Sequence, residues 1–437
     1  MTTLTGRLLV ADPHRRQITL RSGSIRIHGE QIVNVDFDDD PGSELISENE
    51  RGQNELGEAH AGTSPANRSR PLRPGERVIA PGFIDAHLHL SQFGIIGAHG
   101  MPLLKWLDQV TFPAERAWQD VDFARSTTRS VLNQLLSFGT TSFCGYTTVH
   151  HESTMAALEL ATQMGFRGMI GQVLMDRNAP QDLCGETNQL IDQAAKTLQS
   201  FPPNAEMEAA VTPRFAITCS PPLLESAGAL AAQQHAAVQT HLAETQHECA
   251  RVAELFDSAR YVDVYQQAGL LTPRTILGHA VHLDATDHQT LAKHDSIVAH
   301  CPTANQFLGS GRMNRKPLAE ANVDVVLGSD IGAGFNRSMV CVARAAIETA
   351  ASLGNPPPTA ASAWHDITAG AADALGWDNV GQLCEGHRAD VVVIEPDFAI
   401  QMQGDDSIID PLSQLMFAWD DRWIKQTYLR GQSAWGG

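Results

Sequence analysis

The sequence predicts an α/β protein, a TIM-like (β/α)8 barrel carrying a small discontinuous β-sandwich domain built from the two ends of the chain. Three observations lead there. Between residues 78 and 380, eight short β-rich runs alternate with helix-like stretches, the pattern of a parallel sheet whose crossovers are helical. Eight such units over about 300 residues suit a closed barrel. No glycine-rich phosphate loop follows the first run, as an open doubly wound sheet would lead one to expect. The outer segments, 1–77 and 381–437, have a different texture of short alternating strands.

Taken in order, "GRLLVADP" and "QITLRSGSIRIHGEQIVNVDF" read as strands separated by Gly and Asp-Pro breaks. The stretch from Asp38 to Glu76 is polar and rich in Gly, Ser, Asn and Glu. It reads as a long mobile insertion, with partner docking through its acidic start and basic "RSRPLR" end as the other reading. The barrel runs are "GFIDAHLHL", "GTTSFCGY", "RGMIGQVLMD", "EAAVTPRF", "AVQTHLAE", "TILGHAVHL", "SIVAHCP" and "VDVVLGSD". Helices are expected over Asp122–Leu136, Thr154–Met164, Glu186–Leu198 and Gln246–Phe256, among others. The tail segments "GQLCEGHRADVVVIEPDF" and "WIKQTYLRGQSAWGG" read as strands that complete the small sheet begun at the N-terminus.

Composition narrows the function. With 43% hydrophobic and 19% charged residues in 437, the chain can bury a large core. Its net charge of −19 argues against binding nucleic-acid backbones or anionic membranes, though not against a free heterocycle. Seven cysteines without CxxC spacing suit a reducing compartment. The opening "MTTLTGRLLVADPHRRQ" lacks a long apolar stretch and no run reaches membrane-spanning length, so a cytoplasmic protein is expected.

The first barrel run carries two histidines, His87 and His89. In a strand, residues two apart share a face, which would place both imidazoles in one space with Phe83 and Asp85. Converging neutral imidazoles suit Zn²⁺ or Fe²⁺, and Asp85 could accept from a ligand histidine. A lone His-x-His pair is a weak signal. It gains weight because His241, His279 and Asp330 also fall late in their runs, and barrel active sites form at that end of the strands.

These motifs, "PGFIDAHLH", "HLAE", "GHAVHL", "HCPTAN" and "GSD", resemble in type and order the amidohydrolase superfamily of metal-dependent hydrolases and deaminases. Binuclear members hold a carbamylated Lys at a middle strand end, whereas Lys105 and Lys196 here sit in helix-like context. The resemblance therefore implies one divalent metal, Zn²⁺ or Fe²⁺, held by His87, His89, His241 and Asp330. It implies that Glu244 shuttles protons while His279 and Asp330 orient the attacking water. The stretches "HLHLSQ", "MPLLKWLDQVTFPAE", "VTPRF", "THLAE", "HCPTANQFLGSG" and "GSDIGAG" resemble the guanine deaminases within that superfamily. That likeness implies the purine-catabolic reaction of guanine with water, giving xanthine and ammonia. It implies that Gln92 and Arg214 hold the purine edge and Phe215 packs on the ring, with His241, Glu244 and Asp330 also at the substrate. It further implies a homodimer. A Gln with donor and acceptor, an Arg with a fork of donors and a flat aromatic ring suit guanine's edge and face.

Rival readings are a mononuclear deaminase or chlorohydrolase acting on another nitrogen heterocycle, and a non-catalytic scaffold relative. A cytidine-deaminase-type zinc site is set aside because no PCxxC is present. His99 is expected on the surface or in a lid over the site. Structural hydrogen bonds are expected for His282 and His300.

Overall fold

The computed structural model describes residues 1–12, 15–38, 70–257, 260–398 and 410–436. Residues 39–69 of the expected insertion lie outside the described residues. At the N-terminus, β1 (Thr2–Ala11), β2 (Ile18–His28) and β3 (Gln31–Phe37) form an antiparallel set, and β4 (Val78–Pro81) runs parallel to β1. The barrel strands follow: β5 (Phe83–His89), β6 (Thr140–Tyr146), β7 (Arg167–Leu174), β8 (Met207–Pro213), β9 (Ala237–Leu242), β10 (Thr275–His279), β11 (Ile297–His300) and β12 (Val325–Leu327). They pair in sequence order and in parallel. At the C-terminus, β13 (Val391–Ile394), β14 (Ile424–Leu429) and β15 (Gln432–Gly436) join the first sheet in the order β15-β14-β13-β4-β1-β2-β3.

Every residue of β5, β6, β7 and β8 is buried. Helices cover such strands outside and side chains fill the barrel inside, so these runs lack a polar face. The four helices anticipated above are present at Val121–Ser137, His151–Met164, Thr187–Ser200 and Gln246–Phe256. Lys105 and Lys196 both lie in helices, as their context suggested. The ring of strands is drawn together between its first and last members at their C-terminal ends. The Asp330 amide donates to the His87 carbonyl and the His89 amide to that of Ile331, both at 2.8 Å.

The outer sheet curls on itself. The turn between β2 and β3 folds back onto the segment before β13: the Ile32 amide donates to the His387 carbonyl at 2.9 Å and the Ala389 amide to that of Glu30 at 2.8 Å. Leu4, Leu8, Ile25, Ile32, Ile79 and Val391 fill the sandwich-like interior so made. The opposite face, with Leu9, Val78, Ala80 and Val392, packs on helices around Trp364. Phe83 belongs to this cluster, its ring centroid 5.9 Å from that of Trp364.

One strand departs from simple alternation. Asp85 lies opposite Phe143 but Leu88 lies opposite Gly145, so β5 advances three residues while β6 advances two. This extra residue is a bulge, which reverses the facing of the residues beyond it. Ile84 and Ala86 pack with the inner residues Cys144, Met169, Ile276, Ile297 and Val326. Phe83 and Asp85 therefore do not share a face with His87 and His89. The expected strict period of two fails at the bulge.

Candidate active site

His87 lies within the bulge and His89 past it, at the end of β5, and both are buried. The space for His87 is created by two glycines, Gly278 in β10 and Gly328 just after β12. A methyl group at Gly328 would lie 2.6 Å from the His87 Cβ, and one at Gly278 would lie 2.7 Å from its ring Cε1. Gly328→Ala is thus expected to displace His87 and weaken divalent-metal binding by about tenfold or more. Metal per chain after dialysis, with circular dichroism as a folding control, measures this. Full metal occupancy in the variant would refute it.

His241 lies at the end of β9, His279 ends β10, and Asp330 follows β12 by three residues. The chain turns sharply here. Ala243, His279, Ala280 and Asp330 all have positive φ, between 48° and 71°. Non-glycine residues adopt this region uncommonly, at about 1–3 kcal/mol each, and such residues cluster at functional sites. The turns aim the side chains into one cavity. Asp330 Oδ1 lies 3.3 Å from the Nε2 atoms of both His87 and His89. The Nε2 atoms of His89 and His241 are 3.1 Å apart. His87, His241, His279 and Asp330 each offer one ligand atom within 4.8 Å of the others.

The donor chemistry fits a metal. His241 Nδ1 donates to the Arg214 carbonyl at 2.6 Å, which leaves its Nε2 as a lone pair aimed at His89. Neither ring nitrogen of His87 has a hydrogen-bond partner among the described residues. Burial pushes the imidazole of His87 down, that of His89 down to about 4, and that of His241 well down. Burial opposes ionisation of Asp330, but His87 and His89 outweigh it and hold the carboxyl well below its usual range. The two effects cannot both draw on one shared proton. We take the imidazoles as neutral, because burial is the leading cause for all three, and Asp330 as the anion. Neutral imidazoles facing a carboxylate are the donors a divalent cation takes.

Glu244 follows β9 and is buried. Its Oε1 accepts from the Ser310 hydroxyl at 2.6 Å and its Oε2 lies 3.5 Å from His279 Nε2. Burial raises its pKa, against the opposing pull of His279. Burial lowers the affinity of His279 for its proton, but Glu244, Asp330 and Asn305 outweigh it and raise its pKa. The helix Gln246–Phe256 opens with a capping box in which Thr245 and Glu248 exchange hydrogen bonds. Glu248 Oε2 also accepts from the Glu244 amide at 2.9 Å, fixing that turn. Burial and the nearby Glu244 push Glu248 up to about 7.

Gln92, Arg214 and Phe215 all line the same pocket as His89, His241, Glu244, His279 and Asp330. Leu103, Trp106 and Leu107 cover one side, in the segment after Gln92 where a lid was expected. Behind Gln92 and Arg214 stands Glu115, fully buried. Both its oxygens lie 2.7 Å from Arg214 Nη1, and its Oε1 accepts from Gln92 Nε2 at 3.1 Å. Sequence reasoning passed over Glu115. It lies within the quoted stretch "MPLLKWLDQVTFPAE", but nothing local shows that a helical Glu is buried.

Other expectations divide. His282 Nε2 donates to the Ser310 carbonyl at 2.8 Å, a structural bond as expected. His300 does not make the expected bonds: both its ring nitrogens are buried without a partner among the described residues. His99 is exposed, its ring 5.0 Å from that of Phe307. Asp85 is no acceptor for a ligand imidazole. It accepts instead from the His87 amide at 3.2 Å and from the Ser329 amide and hydroxyl at 2.9 and 2.5 Å. It ties the strand bearing the histidines to the turn bearing Asp330, and burial pushes it up to about 7.

Comparison with known proteins adds the following. A sequence profile of the amidohydrolase family matches residues 78–434. The chain is 37% identical to the guanine deaminase of Escherichia coli (strain K12) over 363 residues, 82% of each chain. It is 30% identical to the guanine deaminase of Homo sapiens over 373 residues, 80% of this chain and 82% of that one. Among solved structures, E. coli guanine deaminase superposes with a TM-score of 0.86 at 30% identity, covering all of both chains. The guanine deaminase from C. acetobutylicum, with bound guanine in its active site, superposes at 0.82 with 26% identity over 99% of each.

Proposed function

The chain belongs to the amidohydrolase family, and from that membership we propose that it is a guanine deaminase converting guanine and water to xanthine and ammonia. The observation that carries this reading is the meeting, in one pocket, of a metal-type His and Asp cluster with the Gln92 and Arg214 edge beside Phe215.

His87, His89, His241 and Asp330 would hold one divalent ion, with Zn²⁺ the better match and Fe²⁺ accepted by the same donors. His279 is left to the water because its Nε2 faces the Glu244 carboxylate and its Nδ1 lies 2.9 Å from Asn305 Oδ1. When bound, such an ion supplies Lewis-acid chemistry that brings the pKa of water to about 7.

The remaining steps belong to the protein. Gln92 and Arg214 hold the purine edge, Phe215 packs on its face, and His241, Glu244 and Asp330 border the reacting carbon, C2. Glu244 Oε2 takes the proton of the attacking water, and His279 and Asp330 orient that water. Glu244 delivers that proton to N3 as the water oxygen bonds to C2; the second proton, from the added hydroxyl, then passes through Glu244 to the amine, so that the C2–N bond breaks, ammonia departs and the C2 carbonyl of xanthine forms. Its raised pKa suits this exchange, because a buried carboxyl holds a proton more readily than an exposed one. Apolar Leu103, Trp106 and Leu107 keep bulk water from the bound ring.

Incubating the purified protein with guanine and following xanthine tests the proposal, with adenine and cytosine as controls. Xanthine and ammonia in equal amounts from guanine alone are expected. Faster turnover of another heterocycle would replace this reading with that of a related deaminase. The reading includes a homodimer in the cytoplasm. None of the seven cysteines is in a disulfide, which supports a reducing compartment, and light scattering tests the dimer. Among the described residues no helix is long and apolar enough to cross a membrane.

A further inference from the structure

We propose that Glu115 is a positioning residue that sets both the charge and the donor–acceptor order of the recognition wall, so that the pocket selects neutral lactam rings over anionic ones. The inference rests on the deaminase reading above and extends it to a residue that lies outside the pocket surface. Glu115 is absent from the residues lining the cavity and fully buried behind them, so it acts through Gln92 and Arg214.

Its effect on Arg214 is electrostatic. A buried guanidinium beside Phe112, Phe215 and Leu107 would attract an anion strongly, because charge interactions grow as the local dielectric falls. The Glu115 carboxylate grips one nitrogen, Nη1, with both oxygens. Arg214 Nε and Nη2 have no partner among the described residues and remain available to a carbonyl or ring nitrogen. The pair as a whole carries no net charge. The wall therefore offers directional N–H groups without a net attraction for anions.

Its effect on Gln92 is orientational. An ionised carboxylate only accepts hydrogen bonds, so the Gln92 atom 3.1 Å from Glu115 Oε1 must be the amide nitrogen. That contact fixes which way the amide faces. Oε1 is held as the acceptor, with the Gly332 amide 3.5 Å away as its one weak donor among the described residues. A ring bearing an N–H beside a carbonyl meets an acceptor from Gln92 and donors from Arg214. A ring deprotonated at that nitrogen meets an acceptor with nothing to donate, which leaves buried groups unpaired; an anion that keeps the N–H, as urate does, is opposed by the absence of net positive charge alone.

The test is Glu115→Gln, read by binding as well as turnover. Calorimetry measures urate, an anionic purine at neutral pH, against hypoxanthine, a neutral lactam. In the wild type, hypoxanthine is expected to bind and urate to bind poorly. In Glu115→Gln the affinity ratio should move toward urate by about tenfold or more, and KM for guanine should rise while kcat changes less. In the double variant Glu115→Gln/Arg214→Gln the gain for urate should vanish. An unchanged ratio in the single variant, or a gain that survives in the double variant, would overturn the proposal. If Glu115→Gln does not fold, Glu115→Asp carries the test: a wild-type ratio with raised guanine KM supports the proposal, and a ratio shifted toward urate refutes it. These ratios do not depend on turnover, so a wild type inactive on guanine would sink the deaminase reading separately.

Discussion

Glu244→Gln is expected to lower kcat on guanine by about 10²- to 10⁴-fold, the usual share of a positioned acid–base group, or about 3–5 kcal/mol of barrier. The amide keeps the shape and can still accept from Ser310, whose hydroxyl now lies 2.6 Å from Oε1. It cannot carry a proton between water, ring nitrogen and amine. Because Glu244 is outside the proposed ligand set, metal content should stay at the wild-type level, and binding of a non-reacting purine should change little. Steady-state kinetics beside metal analysis separates the possibilities. Near-normal kcat with metal retained would remove Glu244 from the proton path. Lost metal would instead make it a ligand.

Stripping divalent metal with a chelator is expected to abolish ammonia release, by at least about 10³-fold, since water regains a pKa of about 15.7. Added Zn²⁺ should restore activity at one equivalent per chain. The physical ground is the close approach of His87, His89, His241 and Asp330. Their facing atoms lie 3.1–3.3 Å apart, yet two facing Nε2 lone pairs and a buried carboxylate gain little from one another without a cation. Asp330→Ala should bind Zn²⁺ far less tightly, since it leaves three neutral nitrogens without their anionic partner. Titration with a metal indicator reads this directly. Full activity in the metal-free protein would overturn the metal assignment.

What the sequence by itself determined is set by local periodicity and by order along the chain. The eight barrel runs, four helices, the return of the C-terminal strands to the N-terminal sheet and the strand-end places of His87, His89, His241, His279 and Asp330 were all legible. They were legible because a parallel barrel repeats one unit. Each strand is a short apolar run, and its C-terminal end is where side chains from other units meet. The Glu244 position was legible for the same reason, three residues past a strand-end histidine.

Only the tertiary structure decided the rest, because it depends on contacts between residues far apart in sequence. The bulge in β5 shifts its register against β6 by one residue, and no single-strand pattern shows a register. Asp85 was expected near an imidazole and instead bonds Ser329, 244 positions away. His300 reads like a bonded strand-end histidine, yet among the described residues neither ring nitrogen has a hydrogen-bond partner. The cradle for His87 comes from Gly278 in β10 and Gly328 just after β12. Glu115 is the clearest instance. Alone, it is one acidic residue in a short helix. Folding brings it 2.7 Å from Arg214, 99 positions away, and so converts a solvated carboxylate into the buried partner on which the recognition wall depends.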